Sequence, residues 1–247
     1  DAVYAFTSIY DIQQMELLRG PQGTLRGRPS PAGAVTMTTR RPDLGEVGGS
    51  VSGSFSDADA QNYQGALNVP IVKDTLALRV AGVKNTNEGP GGKLLNGDAP
   101  EIDDEGLRAT LLFQATDELE FLLTHHYMDR AIDNFTFVER AGIAEGAGAG
   151  YSGPAIAGDD RRGVAEKMGR QDQEIEITSL QANWDIGEHQ LVYIGGYQDL
   201  TNEFMQDLDG ANAVVDYSSL QHTATDFEVT THELRFESGG GGRIGAG

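Results

Sequence analysis

Residues 106–130 read GLRATLLFQATDELEFLLTHHYMDR, which is two periodic runs separated by a short polar segment. In the first run Leu107 and Leu111 fall on one face, and in the second run Leu119 and Phe121 do the same. Strict alternation of apolar and polar residues is typical of a β-strand with one apolar face. This stretch therefore predicts two antiparallel strands joined by a tight turn.

The same alternation continues through most of the chain after residue 42, and convincing amphipathic helices are missing. The predicted strands are Gly48–Ser56, Asn62–Val69, Thr75–Asn85, Gly106–Ala115, Leu119–Arg130, Glu174–Ile186, Gln190–Glu203 and Thr225–Ser238. Several of them carry apolar side chains on one face and ionisable side chains on the other. We therefore predict an all-β fold of about eight antiparallel, up-and-down strands.

The lengths of the connections indicate which kind of β protein this is. The short connections are Val69–Asp74, Ala115–Glu118 and Ile186–His189, and the long ones are Asn87–Asp104, Asp133–Asp172 and Asn202–His222. In an up-and-down arrangement all three long connections fall on one side, where Asp57–Gln61 is a short exception. Short turns on one side and long loops on the other are typical of bacterial outer-membrane barrels.

The composition excludes several other classes of protein. The 247 residues include 18 Lys and Arg against 38 Asp and Glu, a net charge of −20, which disfavours nucleic-acid binding. The absence of Cys excludes disulfides, thiolate metal sites and cysteine nucleophiles. No run of about 18 apolar residues occurs, so no transmembrane helix is expected. Residues 1–42 carry three acids and five bases, which separates them from the acidic remainder.

Residues 11–42 closely resemble the end of the plug domain of TonB-dependent outer-membrane receptors. The matching elements are Glu16–Pro21, Gln22–Leu25, Gly27–Arg28 and Ala32–Val35. The resemblance continues in residues 74–82, which look like the third strand of such barrels. It divides the chain into the C-terminal part of a plug domain, residues 1–42, and the N-terminal part of a transmembrane β-barrel, residues 43–247.

The resemblance implies a receptor of the bacterial outer membrane that imports a scarce ligand and is not an enzyme. In this family, plug charges near the Arg-Gly-Pro run pair with charges of the barrel lumen. Carried over, Glu16 and Arg19 are the plug residues, and Glu233 and Arg235 are the lumenal candidates. The implied partners are the periplasmic protein TonB, outer-membrane lipid, lipopolysaccharide and an extracellular small molecule. Ferric siderophores, cobalamin and carbohydrates remain open as ligands, and no cofactor is implied.

The resemblance also implies that this sequence is a piece of a longer protein. Large outer-membrane transporters have about 22 strands around a plugged lumen. The matched part covers the end of a plug and the first eight strands, so we expect the start of the plug and the remaining strands to lie outside this sequence.

Two other classes of protein compete with this interpretation. A secreted all-β carbohydrate-active enzyme or adhesin would share the alternating strands, and a passive porin is disfavoured by the plug-like segment. No metal site is predicted at His125 and His126, because they lie on opposite faces of one strand. No catalytic site is predicted, because no Ser-His-Asp grouping stands out. Residues 148–153 fit a nucleotide-binding glycine pattern but have neither the strand before it nor the helix after it.

Overall fold

A computed structural model of the chain describes residues 9–20, 33–56, 59–88, 93–94, 97–134, 155, 157–160, 162, 168–207 and 220–238. Within these ranges the regular structure consists of strands. They are β1 (Ile12–Arg19), β2 (Gly33–Thr39), β3 (Gly48–Phe55), β4 (Ala60–Val72), β5 (Leu76–Glu88), β6 (Glu101–Thr116), β7 (Leu119–Asn134), β8 (Gly169–Ile186), β9 (His189–Asp207) and β10 (Leu220–Ser238). Among the described residues no helix is long and apolar enough to cross a membrane.

The strands form two sheets. One is the β1–β2 hairpin, and the other contains eight strands in the order β10-β9-β8-β7-β6-β5-β4-β3. Within the larger sheet, neighbouring strands are consecutive in the chain and antiparallel. The predicted up-and-down arrangement is therefore correct, and every strand predicted from the alternation is present.

The register places the alternating side chains as the sequence predicts. In β6 and β7, Leu111 is opposite Leu123 and Phe113 is opposite Phe121. The two phenyl rings stack with their centroids 6.2 Å apart. These residues lie on one face of the sheet, which we call the outer face. The other face, against which the residues preceding β1 pack, is the inner face.

The outer face changes character along the strands. Near the tight turns it is apolar and exposed, as Val51 (89% exposed) and Leu234 (70%) show. Towards the long connections the same face carries acids, among them Glu105 and Glu176. On β8 the apolar band runs from Ile186 to the residues just before Glu176. With the usual strand rise and a tilt of about 40°, its height is roughly 25 Å, which fits the hydrocarbon core of an outer membrane.

The strands extend further into the predicted long connections than the alternation indicates. β8 begins at Gly169, and β9 continues to Asp207. Asp103, Asp172 and Glu203 are therefore strand residues and not loop residues. The strands extend beyond the apolar band because the backbone hydrogen bonds between antiparallel strands do not depend on apolar side chains.

A small core lies on the inner face. It consists of Tyr10, Ala81, Val83, Met128, Ile175 and Leu200. Tyr10, which is 2% exposed, comes from the segment that leads into β1, and the other five residues come from four strands of the large sheet. This core is the point at which the hairpin segment joins the sheet.

Candidate functional site

The candidate site is the junction between the start of the hairpin and the inner face of the large sheet. Its central residue is Asp11, which directly precedes β1 and has a φ of 49°. Asp and Asn adopt this left-handed conformation more readily than most residues. The side chain of Asp11 is 5% exposed. A buried carboxylate of this kind requires a positive partner.

Arg79 of β5 is the first partner of Asp11. Its Nε donates to Asp11 Oδ2 at 2.8 Å, and its Nη2 donates to Asp11 Oδ1 at 2.5 Å. The pair is therefore bidentate, which is the strongest arrangement available to an arginine and a carboxylate. It links positions 68 residues apart in the chain. Asp11 is thereby fixed to the third strand of the chain's larger sheet.

Arg108 of β6 is the second partner, and it holds the backbone as well as the carboxylate. Its Nη2 donates to the carbonyl oxygens of Tyr10 and Asp11, each at 3.2 Å, and lies 3.4 Å from Asp11 Oδ2. Its guanidinium also lies 4.7 Å from the centre of the Tyr10 ring. One carboxylate therefore serves the buried guanidinium of Arg108 and the largely buried guanidinium of Arg79, and removing it would leave both without their anionic partner.

Tyr10 fills the space beside this network. Burial raises the pKa of Tyr10 to about 12, an effect that the positive charge of Arg108 only partly opposes. The ring packs against Gly106, where an added Cβ would lie 3.2 Å from Tyr10 Cε1 and 3.2 Å from Val83 Cγ1. It also meets the ring of His126 edge-on, with centroids 5.9 Å apart. Tyr10 therefore covers part of His126, whose Nε2 is buried without a hydrogen bond among the described residues.

The segment after β2 is fixed to the same sheet by Asn68 of β4, which is 2% exposed. Asn68 Oδ1 accepts a hydrogen bond from Asp43 N at 2.9 Å, and its Nδ2 donates to the carbonyls of Asp43 (3.0 Å) and Glu46 (2.7 Å). In addition, Asp74 N donates to Leu44 O at 3.0 Å. The chain is therefore attached to the sheet on both sides of the hairpin.

Two further contacts complete the junction. Arg40 N donates to Asp11 O at 3.1 Å and so closes the base of the hairpin. Arg41 Nη2 lies 2.5 Å from Glu120 Oε1, and Glu120 also accepts a hydrogen bond from Asn183 at 3.1 Å. Because Arg41 is half exposed, this ion pair is weaker than the buried pair of Asp11.

The residues that the resemblance suggests for plug–barrel pairing lie elsewhere. Glu16 and Arg19 are exposed on β1, and Glu16 accepts a hydrogen bond from Gln14 at 2.7 Å. On β10, Arg235 Nη2 donates to Glu233 Oε1 at 2.5 Å. Between β1 and β10 no contact exists in the part of the chain that the structure describes. The pairing of the first two residues with the second two stays a prediction.

Sequence reasoning missed Asp11, Arg79, Arg108 and Asn68 as site residues. The one available signal was the alternation, which places Arg79 and Arg108 on the face opposite the leucines. It does not indicate which anion they contact.

Residues 21–32 of the plug-like motif and the glycine pattern at 148–153 lie outside the described residues. In the described ranges no group of acids and histidines could hold a metal ion.

No family profile matches the chain. Among curated proteins, the pesticin receptors of Yersinia enterocolitica and Yersinia pestis are 31% identical over 104 residues, which is 42% of this chain and 15% of each receptor. The matched stretch is thus a small part of those proteins.

Three solved structures resemble the chain over nearly all of its length. The ferric yersiniabactin uptake receptor FyuA of Yersinia pestis superposes with a TM-score of 0.74 at 18% identity, covering 94% of this chain and 34% of FyuA. The siderophore receptor PiuA of Acinetobacter baumannii gives 0.67 at 19% identity, covering 93% and 32%. The ferric-catecholate import receptor Fiu of E. coli K12 gives 0.64 at 17%, covering 94% and 37%. The chain spans about a third of each, and its sheet is a sector of the same up-and-down β-barrel.

Proposed function

We propose that this chain, a segment of a TonB-dependent receptor of the bacterial outer membrane, serves the energy-coupled uptake of a ferric siderophore. In this proposal residues 1–42 are the end of the plug, and residues 43–247 begin the barrel wall. The inner face of the sheet then faces the lumen, and the outer face contacts lipid. The tight turns lie on the periplasmic side, where the segment after β2 enters the wall.

The choice of ligand class rests on the relatives. FyuA is a ferric yersiniabactin uptake receptor, PiuA a siderophore receptor and Fiu a ferric-catecholate import receptor. All three are receptors and not enzymes, and this chain has their fold. Cobalamin and carbohydrates have no corresponding support among these relatives.

The observation that carries the proposal is the attachment of Asp11 to Arg79 and Arg108. It fixes a segment of chain against the lumenal wall, and the Asn68 contacts fix the same segment a second time. A passive porin needs an open aqueous lumen, whereas an energised transporter keeps its lumen closed until work is done on the plug. The buried ion pairs therefore favour a transporter.

The proposed partners follow from this arrangement. TonB would supply the work from the periplasm, and the ligand would enter from the side of the long connections. Lipid would cover the apolar band, and lipopolysaccharide would form the outer leaflet around it. A secreted enzyme or adhesin is not favoured, because residues such as Val51 and Leu234 would then expose a continuous apolar surface to water.

The test is uptake by the full-length receptor in a Gram-negative strain that lacks its own siderophore receptors. Cells are given radiolabelled iron complexed by a panel of siderophores, with and without a protonophore. We expect accumulation of at least one complex, and we expect the protonophore to abolish it. Uptake that persists without proton-motive force would contradict energy coupling and favour a passive pore.

A further inference from the structure

The inner face of the sheet is organised in rows, because the register aligns one residue of each strand with its neighbours. Tyr10 packs on an apolar row formed by Val83, Gly106, Met128, Ile175 and Leu200. Two positions further towards the long connections lies a row of different chemistry. It consists of Asn62, Asn85, Asp104, Arg130, Gln173 and Asn202, and we call it the polar row.

The polar row is electrically neutral. Its only two charged members are Asp104 and Arg130, and Arg130 Nε lies 3.0 Å from Asp104 Oδ1. Asn85 Nδ2 donates to Asp104 Oδ2 at 3.3 Å. The row therefore offers amide groups and no net charge to whatever lies against it.

Gln173 Nε2 and Arg130 Nε are the two buried donors of the row without a hydrogen bond among the described residues, but Arg130 Nε is compensated by the charge of Asp104, whereas Gln173 Nε2 is not. Gln173 is 4% exposed. Its neighbours across the ladder are Arg130 and Asn202, and the amide of Asn202 already accepts from Gln171 at 2.7 Å. A buried donor without a partner is costly, so such groups usually have a ligand or a water molecule as partner.

The other arginines of the inner face also form ion pairs. Arg79 and Arg108 contact Asp11, and Arg235 contacts Glu233. On the described strands of this face, every arginine thus has an acid beside it. A polyanionic ligand would lose its hydration here and find no free cation in exchange.

We propose that the polar row is a binding wall for an uncharged ferric chelate, to which Gln173 Nε2 donates a hydrogen bond. The carbonyl and hydroxamate oxygens of such a chelate are acceptors that match the amides of the row. The row disfavours chelates that carry several negative charges. This inference rests on the proposed function, since it assumes that the inner face lines the path of a ferric ligand.

The test uses the purified full-length receptor and two probes, a neutral ferric trihydroxamate and a trianionic ferric tris-catecholate, with binding followed by calorimetry. We expect the receptor to bind the neutral probe more tightly. Gln173→Ala lowers that affinity about five-fold, the effect of losing one hydrogen bond. The matched control is Gln181→Ala, on the same strand and face but nearer the tight turns, where no change is expected.

A second variant tests whether the absence of net charge on the polar row determines which probe binds. Gln173→Lys places a cation on the row, and we expect it to raise the affinity for the tris-catecholate. Heat-modifiable mobility on gels shows that each variant is folded. Three results would overturn the inference: tighter or equal binding of the trianion by the unaltered receptor, equal effects of Gln173→Ala and Gln181→Ala, or binding of neither probe.

Measuring uptake with and without a protonophore distinguishes failure of this inference from failure of the proposed function. If the unaltered receptor imports the tris-catecholate in preference to the neutral probe, and a protonophore stops it, only the polar-row inference fails. If uptake of either probe ignores the protonophore, the proposed function fails.

Discussion

At the scale of single residues, Asp11 contributes more to the junction than any other acid on the hairpin segment. Its carboxylate contacts two arginines, and its carbonyl oxygen accepts hydrogen bonds from Arg40 N and Arg108 Nη2. It does this in a left-handed conformation that most residues avoid. The junction therefore depends on the charge of this residue and also on its backbone geometry.

Replacing Asp11 separates these two contributions. Asp11→Asn tolerates the left-handed conformation but removes the charge, and Asp11→Ala removes both the charge and the polar side chain. Because the guanidinium groups of Arg79 and Arg108 lose their carboxylate, we expect each variant to weaken docking of the hairpin by about 3–5 kcal/mol. Amide hydrogen exchange in β1 and β2 of the full-length receptor measures this effect.

The control for Asp11 is Glu188→Ala, which changes an exposed acid in the β8–β9 turn. Its expected effect on the same exchange rates is within about 0.5 kcal/mol. If exchange in the hairpin is as slow in both Asp11 variants as in this control, the ion pairs do not hold the hairpin to the wall.

At the scale of elements, the alternation of apolar and polar residues predicts the strands well, because the two faces of the sheet have different surroundings. On β8, Leu180, Ala182 and Trp184 face outward, and Gln181 and Asn183 face inward, as their parity indicates. The partners of Asp11 could not be predicted in this way. They lie 68 and 97 residues away in the chain, and no local pattern specifies how the hairpin docks on the inner face. The neutral polar row was missed for the same reason, since it exists only once six strands are in register.

Adjacent residues of β8 give a matched test of the two faces. Leu180→Arg places a charge in the apolar band, where it costs about 2–4 kcal/mol near the middle of the bilayer. Gln181→Arg places the same charge on the inner face, where we expect little cost. Folding of the full-length receptor into lipid vesicles, titrated with urea, measures both. Equal destabilisation by the two variants, or a larger effect of Gln181→Arg, would show that the faces are assigned the wrong way round.

At the scale of the whole molecule, the chain is a sector of a larger barrel with a hairpin segment fixed to its inner wall. The superpositions cover nearly all of this chain but about a third of the solved receptors. The outer face shows an apolar band about as tall as a membrane core, and Tyr10 packs on the inner face against Val83, Met128 and their neighbours. These are the features expected if the lumen of that barrel is occupied, as we propose.

The ionic conductance of the full-length receptor in a planar lipid bilayer shows whether the hairpin segment keeps the lumen closed. We expect the unaltered receptor to be closed, and we expect Asp11→Ala to show transient openings as the hairpin loosens from the wall. Steady, open conductance through the unaltered receptor would show that the lumen is not occupied.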